Sequence, residues 1–185
     1  RTFTRLDKLE KGETGRLLFS AMEEKGLKPL GWGENGFRQL TNGKHPVLRP
    51  ADLQGMKVRV VGSPIFIEIF RALGADPVNM NWGDAVTAFS QGVVDGQENP
   101  AGVLAPVKIW EHHQYGTFWN YLVDPVVVGV SMSLWQQFPP DIQKAVQEAA
   151  VEAARWERAM TRRGLDDGWA VKTVKEYGTE PEFTD

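Results

Sequence analysis

Apolar and polar positions alternate along this chain in two periods, and the changes of period mark its elements. Residues 1 to 25 read as helix. Leu6, Leu9, Leu17, Leu18, Ala21 and Met22 keep helical spacing only loosely, because Lys11-Gly12-Glu13 interrupts them. Gly26 fits a helix C-terminal stop. Leu27 to Trp32 reads as a short apolar strand. Gly31, Gly33 and Gly36 then mark a flexible or close-packed crossing before a second strand from Phe37 to Thr41. Asn42-Gly43 is a turn signal. The run 44 to 55, with two prolines and a glycine, reads as a loop with one helical turn.

The stretch from Lys57 to Lys108 is the most regular. Met56 to Val61 is strand-like. Pro64 to Leu73 is predicted as helix, with Ser63 as its cap and Pro64 at the first helical position. Gly74 stops it. Pro77 to Met80 is short and extended, Gly83 to Gln91 is helix, and Gly92 ends that. Pro100 opens a further helix expected to run to about Trp110. Tyr115 to Leu122 and Pro125 to Val130 are aromatic-rich and β-branched and read as buried strands. Ser133 to Gln137 reads as a helical turn. From Pro139-Pro140-Asp141 the longest helix begins, with Ile142, Ala145, Val146, Ala149, Ala153, Trp156 and Met160 at steps of three and four. The pattern weakens through Trp169, Val171 and Tyr177, and Gly164 and Gly168 suggest a bend there. Strands alternating with helices give an α/β fold.

Composition narrows the function classes. The chain has 185 residues, 42% hydrophobic and 24% charged, enough for one large domain or two small lobes. Its net charge of -3 and the lack of a basic block argue against nucleic acid and anionic membranes as partners. Without cysteine there is no disulfide framework, thiolate nucleophile or cysteine-rich metal site. That leaves the compartment open. No apolar run approaches the roughly 20 residues of a membrane helix. No signal peptide opens the chain, yet Arg1-Thr2-Phe3-Thr4-Arg5 starts inside a helical pattern, so a removed leader or a fragment is expected.

The residues that can carry chemistry cluster in the regular stretch. Arg59 interrupts the apolar run Val58-Arg59-Val60-Val61, facing opposite to Val58 and Val60. A guanidinium offers a planar fork for a carboxylate, and a buried one needs an anionic partner; a structural salt bridge or an exposed strand residue is the competing reading. Ser63-Pro64 and Asn99-Pro100 both read as strand ends opening helices, where backbone N–H groups favour anions. Ordinary capping is the alternative for each. Arg38 is a second candidate cation. Trp82, before a helix, either walls a pocket or packs the core. Asp84, Asp95 and Glu98 form no diagnostic acid–base pair and are expected to be solvated or capping. His112-His113 diverge, His45 stands alone, and no zinc site is expected. There is no GxSxG, GxGxxG or GxxxxGK[ST], which argues against catalysis.

One family joins these fragments. The runs Asp52-Leu53-Gln54-Gly55-Met56-Lys57-Val58-Arg59-Val60, Gly62-Ser63-Pro64, Ala72-Leu73-Gly74-Ala75 and Gly92-Val93-Val94-Asp95-Gly96-Gln97-Glu98-Asn99-Pro100, with Phe138-Pro139-Pro140-Asp141-Ile142-Gln143-Lys144 and the long helix, resemble the solute-binding proteins of TRAP (tripartite ATP-independent periplasmic) transporters, the C4-dicarboxylate-receptor-like group. The resemblance covers nearly the whole chain. It implies a two-lobed periplasmic-binding-protein-like α/β architecture with a long helix spanning both lobes, here incomplete. Residues 1-36 and 125-164 would form part of lobe I without its opening strands, and 37-124 with 165-185 would form lobe II. It also implies a periplasmic receptor that binds a small organic acid and delivers it to membrane subunits, with no cofactor and no metal. The family's carboxylate-pairing arginine falls on Arg59 and the asparagine of its QENP motif on Asn99. Its second arginine falls on Arg38, an aromatic position on Trp82, and aromatic residues facing the ligand from the other lobe on Phe118 and Trp119. A carboxylate sensor for a signalling partner and an enzyme acting on a carboxylate are the alternative functions.

Overall fold

The computed structural model describes residues 3–166 and 180–182, with side chains as far as residue 163. Two compact units divide it. The first comprises the chain up to Asn35 and Asp124–Arg162; the second comprises Gly36–Val123 and the chain from Arg163 on.

The first unit opens with helices α1 (Phe3–Lys11) and α2 (Glu13–Glu24), broken at Gly12 as the Lys11-Gly12-Glu13 interruption predicts. Strand β1 (Leu27–Asn42) follows, and its first part pairs with β6 (Val123–Ser131). After β6 come the short helix α6 (Met132–Trp135) and the long helix α7 (Pro140–Asp166). The long helix begins where the Pro-Pro-Asp signal places it. Ala150 and Ala154 are its buried positions among the described side chains. The proposed bend at Gly164 falls inside α7, whereas Gly168, Trp169, Val171 and Tyr177 lie outside the described residues.

One expectation is overturned here. The two short strands expected either side of a glycine crossing are a single strand of 16 residues. The glycines do not break it; they admit α7. A Cβ on Gly31 would stand 3.4 Å from the Ala154 Cβ, and one on Gly33 would stand 3.0 Å from Glu157 Oε2. Small residues are needed where a helix lies this close to a strand. Gly36, with φ of 109°, is the first residue of the second unit and takes a backbone conformation that other residues rarely adopt. β6 also departs from expectation. It is a strand but largely half-exposed, with Val126 at 43%, and β1 is its only neighbour among the described residues.

Helix α7 anchors the first unit by charge as well as packing. Arg158 bonds Asp7 and Glu10, each at 2.5 Å. Arg162 bonds Asp7 at 2.6 Å and the fully buried Glu34 at 2.7 Å, and its guanidinium lies 4.7 Å from the Phe3 ring centroid.

The second unit is a sheet with helices on both faces. Its described order is β3 (Asp76–Asn79), β2 (Lys57–Val60), β4 (Gly96–Pro100), the second part of β1, β5 (Tyr115–Thr117) and β7 (Glu180–Glu182). β2 runs parallel to β3 and β4, and β4 runs antiparallel to β1. Alternation along β2 assigns each residue to a face. Val58 and Val60 join Leu40, Leu53, Phe66 and Phe70 in one core, covered by helix α3 (Pro64–Ala72). On the other face Ala85, Ala88 and Phe89 of helix α4 (Trp82–Ser90) pack with Val94, Leu104 and Ile109. At roughly 1.5–3 kcal/mol for each fully buried large apolar side chain, these two cores dominate the unit's stability.

Three further expectations change. Asn99 and Pro100 belong to β4, and the helix after them is the four-residue α5 (Ala101–Leu104), not one reaching Trp110; turns and a 3-10 segment at Ile109–Glu111 complete the stretch. Only Tyr115–Thr117 of the stretch 115 to 122 is strand, because Asn120 takes a φ of 48° that ends extended pairing. Ser63 occupies the cap position of α3, but its side chain makes no capping bond.

Candidate functional site

Two arginines reach the carboxyl end of β2 and β4, and their surroundings differ. Arg59 is buried because both faces of β2 are covered; only 3% of it is exposed. The register sets it opposite Val78 of β3 and Gln97 of β4, on the α4 side of the sheet. Its Nε donates to the Met80 carbonyl at 2.9 Å and its Nη2 to the same oxygen at 2.6 Å. The guanidinium stands 5.4 Å from the Trp82 ring centroid. No carboxylate pairs with it among the described residues. Burial lowers its pKa, the charge of Glu98 opposes that, and Arg38 adds to it.

Arg38 is 2% exposed and already engaged. The β1–β4 register pairs Arg38 with Pro100 and Leu40 with Glu98, which sets Arg38 and Glu98 side by side on the α3 face. Arg38 Nε donates to Glu98 Oε2 at 2.5 Å and Nη2 to Oε1 at 2.9 Å, a bidentate pair. Nη2 also reaches the Glu98 carbonyl at 2.8 Å and Asn99 Oδ1 at 2.9 Å. The Phe66 ring centroid lies 5.0 Å from the guanidinium. Tyr121 donates its hydroxyl to Glu98 Oε2 at 2.5 Å. Burial raises the Glu98 pKa against the opposing pull of Arg38 and Tyr121. Burial, and then the charge of Glu98, raises the Tyr121 pKa, so that hydroxyl keeps its proton.

From Asn99 a chain of side-chain bonds runs back along the sheet. Asn99 Nδ2 donates to Gln97 Oε1 at 2.9 Å, Gln97 Nε2 donates to Thr41 Oγ1 at 2.7 Å, and Thr41 Oγ1 lies 2.9 Å from His113 Nδ1. Burial, with a smaller contribution from His112, lowers the His113 pKa to about 3, so it is neutral. Buried networks of this kind fix side-chain positions.

Arg59, Asn99, Arg38 and Trp82 therefore meet at one end of one sheet. Phe118 and Trp119 do not face them from another lobe. Both lie in the same unit as Arg59 and are partly buried, Trp119 packed against Phe70 and Tyr121, and Phe118 beside the α4 core. Glu98 corrects a second expectation. It is fully buried, not solvated or capping. Its partners are 60 and 23 residues distant, so no local spacing announces them. Asp95 does act locally, accepting from the Lys57 backbone at 2.9 Å and pairing with Lys44 at 3.2 Å. Asp84 lies in the first turn of α4. Among the described residues no group of three His, Cys, Asp or Glu side chains can hold a metal ion, and no helix is long and apolar enough to cross a membrane.

Known proteins resemble this chain in sequence and fold. The model of the family described as bacterial extracellular solute-binding protein, family 7 (DctP), matches residues 1–183. The chain is 32% identical over 169 residues to the 2,3-diketo-L-gulonate-binding periplasmic protein YiaO of Escherichia coli, covering 91% of this chain and 51% of that protein. It is 29% identical over 174 residues to the C4-dicarboxylate-binding periplasmic protein DctP of Rhodobacter capsulatus, covering 94% of this chain and 51% of that one. The chain thus spans about half the length of these relatives. Among solved structures, a TRAP periplasmic solute-binding protein of Ralstonia eutropha, with bound (S)-2-acetolactate, superposes with a TM-score of 0.96 at 41% identity, covering 100% of this chain and 60% of that one. One from Roseobacter denitrificans, with bound β-D-glucuronate, gives 0.91 at 28% identity, covering 97% and 59%. These relatives are solute-binding receptors, and the chain belongs to the bacterial extracellular solute-binding protein family 7 of TRAP transporters.

Proposed function

We propose that the intact protein is a periplasmic receptor that holds a small organic acid through a pair between Arg59 and the ligand's carboxylate and delivers it to TRAP membrane subunits. The observation that supports this is the condition of Arg59. A guanidinium that is almost wholly buried, and among the described residues hydrogen-bonded only to one neutral carbonyl, calls for an anion. Two of its five N–H groups go to Met80, so three remain to bind one. Asn99, held by Arg38 and Gln97, keeps one amide N–H and orients the acid. Trp82 lies against the guanidinium and walls the site. The organic acids bound to related receptors support the same class of ligand.

The test is titration calorimetry on the full-length receptor. Arg59→Ala leaves the ligand's charge buried and unpaired, and the expected loss is about 2–5 kcal/mol of binding free energy. An Arg59→Ala variant that binds its acid as tightly as the parent refutes the assignment.

A further inference from the structure

Arg38 can only donate, and that fixes the polarity of the groups bonded behind it. A guanidinium has no acceptor. The Asn99 atom 2.9 Å from Arg38 Nη2 is therefore the amide oxygen, and the amide nitrogen is turned to Gln97. Arg38 itself is locked by two bonds to the Glu98 carboxylate.

The same reasoning passes from residue to residue. Asn99 Nδ2 donates to Gln97, so Gln97 presents its oxygen there and its Nε2 to Thr41 Oγ1, 2.7 Å away. That nitrogen only donates, so Thr41 accepts. Thr41 is fully buried, and the other polar atom at its hydroxyl, among the described residues, is His113 Nδ1 at 2.9 Å. The hydroxyl proton goes there, which makes Nδ1 an acceptor and puts the ring proton on Nε2. A proton on Nδ1 instead would strand the buried hydroxyl proton without an acceptor. Burial keeps the ring neutral. It is 2% exposed and stands edge-on to Phe89, with centroids 5.1 Å apart. Strand pairing sets Gln97 opposite both Arg59 of β2 and Thr41 of β1, so the chain of bonds shares a sheet face with Arg59.

Building on the reading that Asn99 meets the acid, we infer that Gln97, Thr41 and His113 are positioning residues: with Arg38 they form a one-way hydrogen-bond chain that holds Asn99 with an N–H, and not its carbonyl, toward the ligand. A freely turning amide presents its oxygen as readily as its nitrogen, and that oxygen repels a carboxylate. A buried chain of bonds specifies one arrangement. The Arg59 fork and the Asn99 amide are then both donors, the polarity that an anion's oxygen atoms take.

The first test needs no ligand. On the full-length receptor with 15N-labelled histidine at neutral pH, long-range nitrogen–proton correlation spectra identify the ring tautomer, and the His113 signal is assigned by its loss in His113→Phe. The Nε2–H form is expected; Nδ1–H in the parent overturns the direction of the chain. Asn99→Asp, checked for native circular dichroism, turns an oxygen to Gln97. Gln97 must then rotate, Thr41 must donate to it, and His113 must donate to Thr41. The expected signature is a switch of His113 to Nδ1–H, and a folded Asn99→Asp that keeps Nε2–H overturns the chain.

Calorimetry reads the positioning role, with pyruvate, 2-oxobutyrate, lactate, malate, succinate, gluconate and glucuronate as probes. Thr41→Val deletes the hydroxyl that anchors Gln97. It is expected to weaken the tightest probe by roughly two- to tenfold, the worth of one hydrogen bond, and Thr41→Ser to restore most of that. Thr41→Val at parental affinity, where Arg59→Ala has lost binding, overturns the positioning role and leaves the clamp standing. Arg59→Ala at parental affinity overturns the clamp, while the His113 tautomer still decides the chain. A parent that binds none of the probes overturns the acid reading and the positioning role together.

Discussion

In the first unit, Arg158 and Arg162 are surrounded by three carboxylates, Asp7, Glu10 and Glu34. In the second unit, Arg59 is more deeply buried than either, and no described carboxylate pairs with it. The same side chain thus serves two ends. Where acids outnumber guanidiniums, the charges close on themselves and tie α1, β1 and α7 together. Where a guanidinium is buried with no described acid beside it, as at Arg59, an anion from outside is the partner proposed. A buried ion cluster is weak grounds for calling a region functional, since such clusters are often structural. The informative case is the incomplete one.

The contrast breaks most sharply at Arg59, where Arg59→Ala is expected to remove about 2–5 kcal/mol of ligand binding. Its effect on stability without ligand is expected to be small by comparison, because only two bonds to one carbonyl are lost. Chemical denaturation of the ligand-free receptor measures that difference; a variant destabilised as much as its binding is weakened would make Arg59 structural, like the arginines of α7.

The converse holds in the first unit. Glu34 is fully buried and accepts from Arg162, so Glu34→Ala is expected to cost about 1.5–3 kcal/mol of stability. This is less than for a fully buried pair, because Arg162 keeps solvent contact and its bonds to Asp7. Ligand affinity, measured on the folded variant, should be unchanged.

Trp82→Leu sharpens the comparison at a finer level. Losing the ring beside Arg59 is expected to weaken acid binding by about 0.5–2 kcal/mol, the range of a partly desolvated cation–π contact. Trp82→Phe should recover part of it. Equal affinity in all three proteins would leave Trp82 a packing residue only.

The smallest effect is on pH dependence. Burial raises the pKa of Glu10 above its ordinary 4.5, outweighing the bond from Arg158. The folded chain then holds that proton to higher pH than the unfolded chain. Its contribution is fully present below 4.5 and is lost as pH rises through the folded value. Burial gives Glu98 the same sign. Asp7, lowered chiefly by its bond from Arg162, acts oppositely: its stabilisation is present above 3.8 and lost as pH falls further. Glu10→Gln should therefore gain stability relative to the parent as pH rises from 4.5 toward neutrality, followed by denaturation midpoints; a constant difference would contradict the raised value.

How much of this was legible in the sequence follows from the range of each interaction. Helices α3 and α4 announce themselves through proline, glycine stops and periodic apolar residues, all local signals. The burial of Arg59 follows from its apolar neighbours. The continuity of β1 was not legible, because Gly31 and Gly33 look like breaks when their reason is α7, more than a hundred residues later. The short α5 was misread because a proline after a polar residue opens helices and also ends strands. Glu98 was hidden because its partners come from other strands and loops, and in sequence a buried glutamate looks like an exposed one.

Gly36 sets a limit of another kind. With φ at 109° at the point where the chain passes from one unit to the other, it admits almost no other residue without strain. In a saturation library selected for acid uptake, the neighbouring strand positions would drift among many residues. Position 36 would return glycine, a fixed letter written by backbone geometry and not by anything the ligand touches.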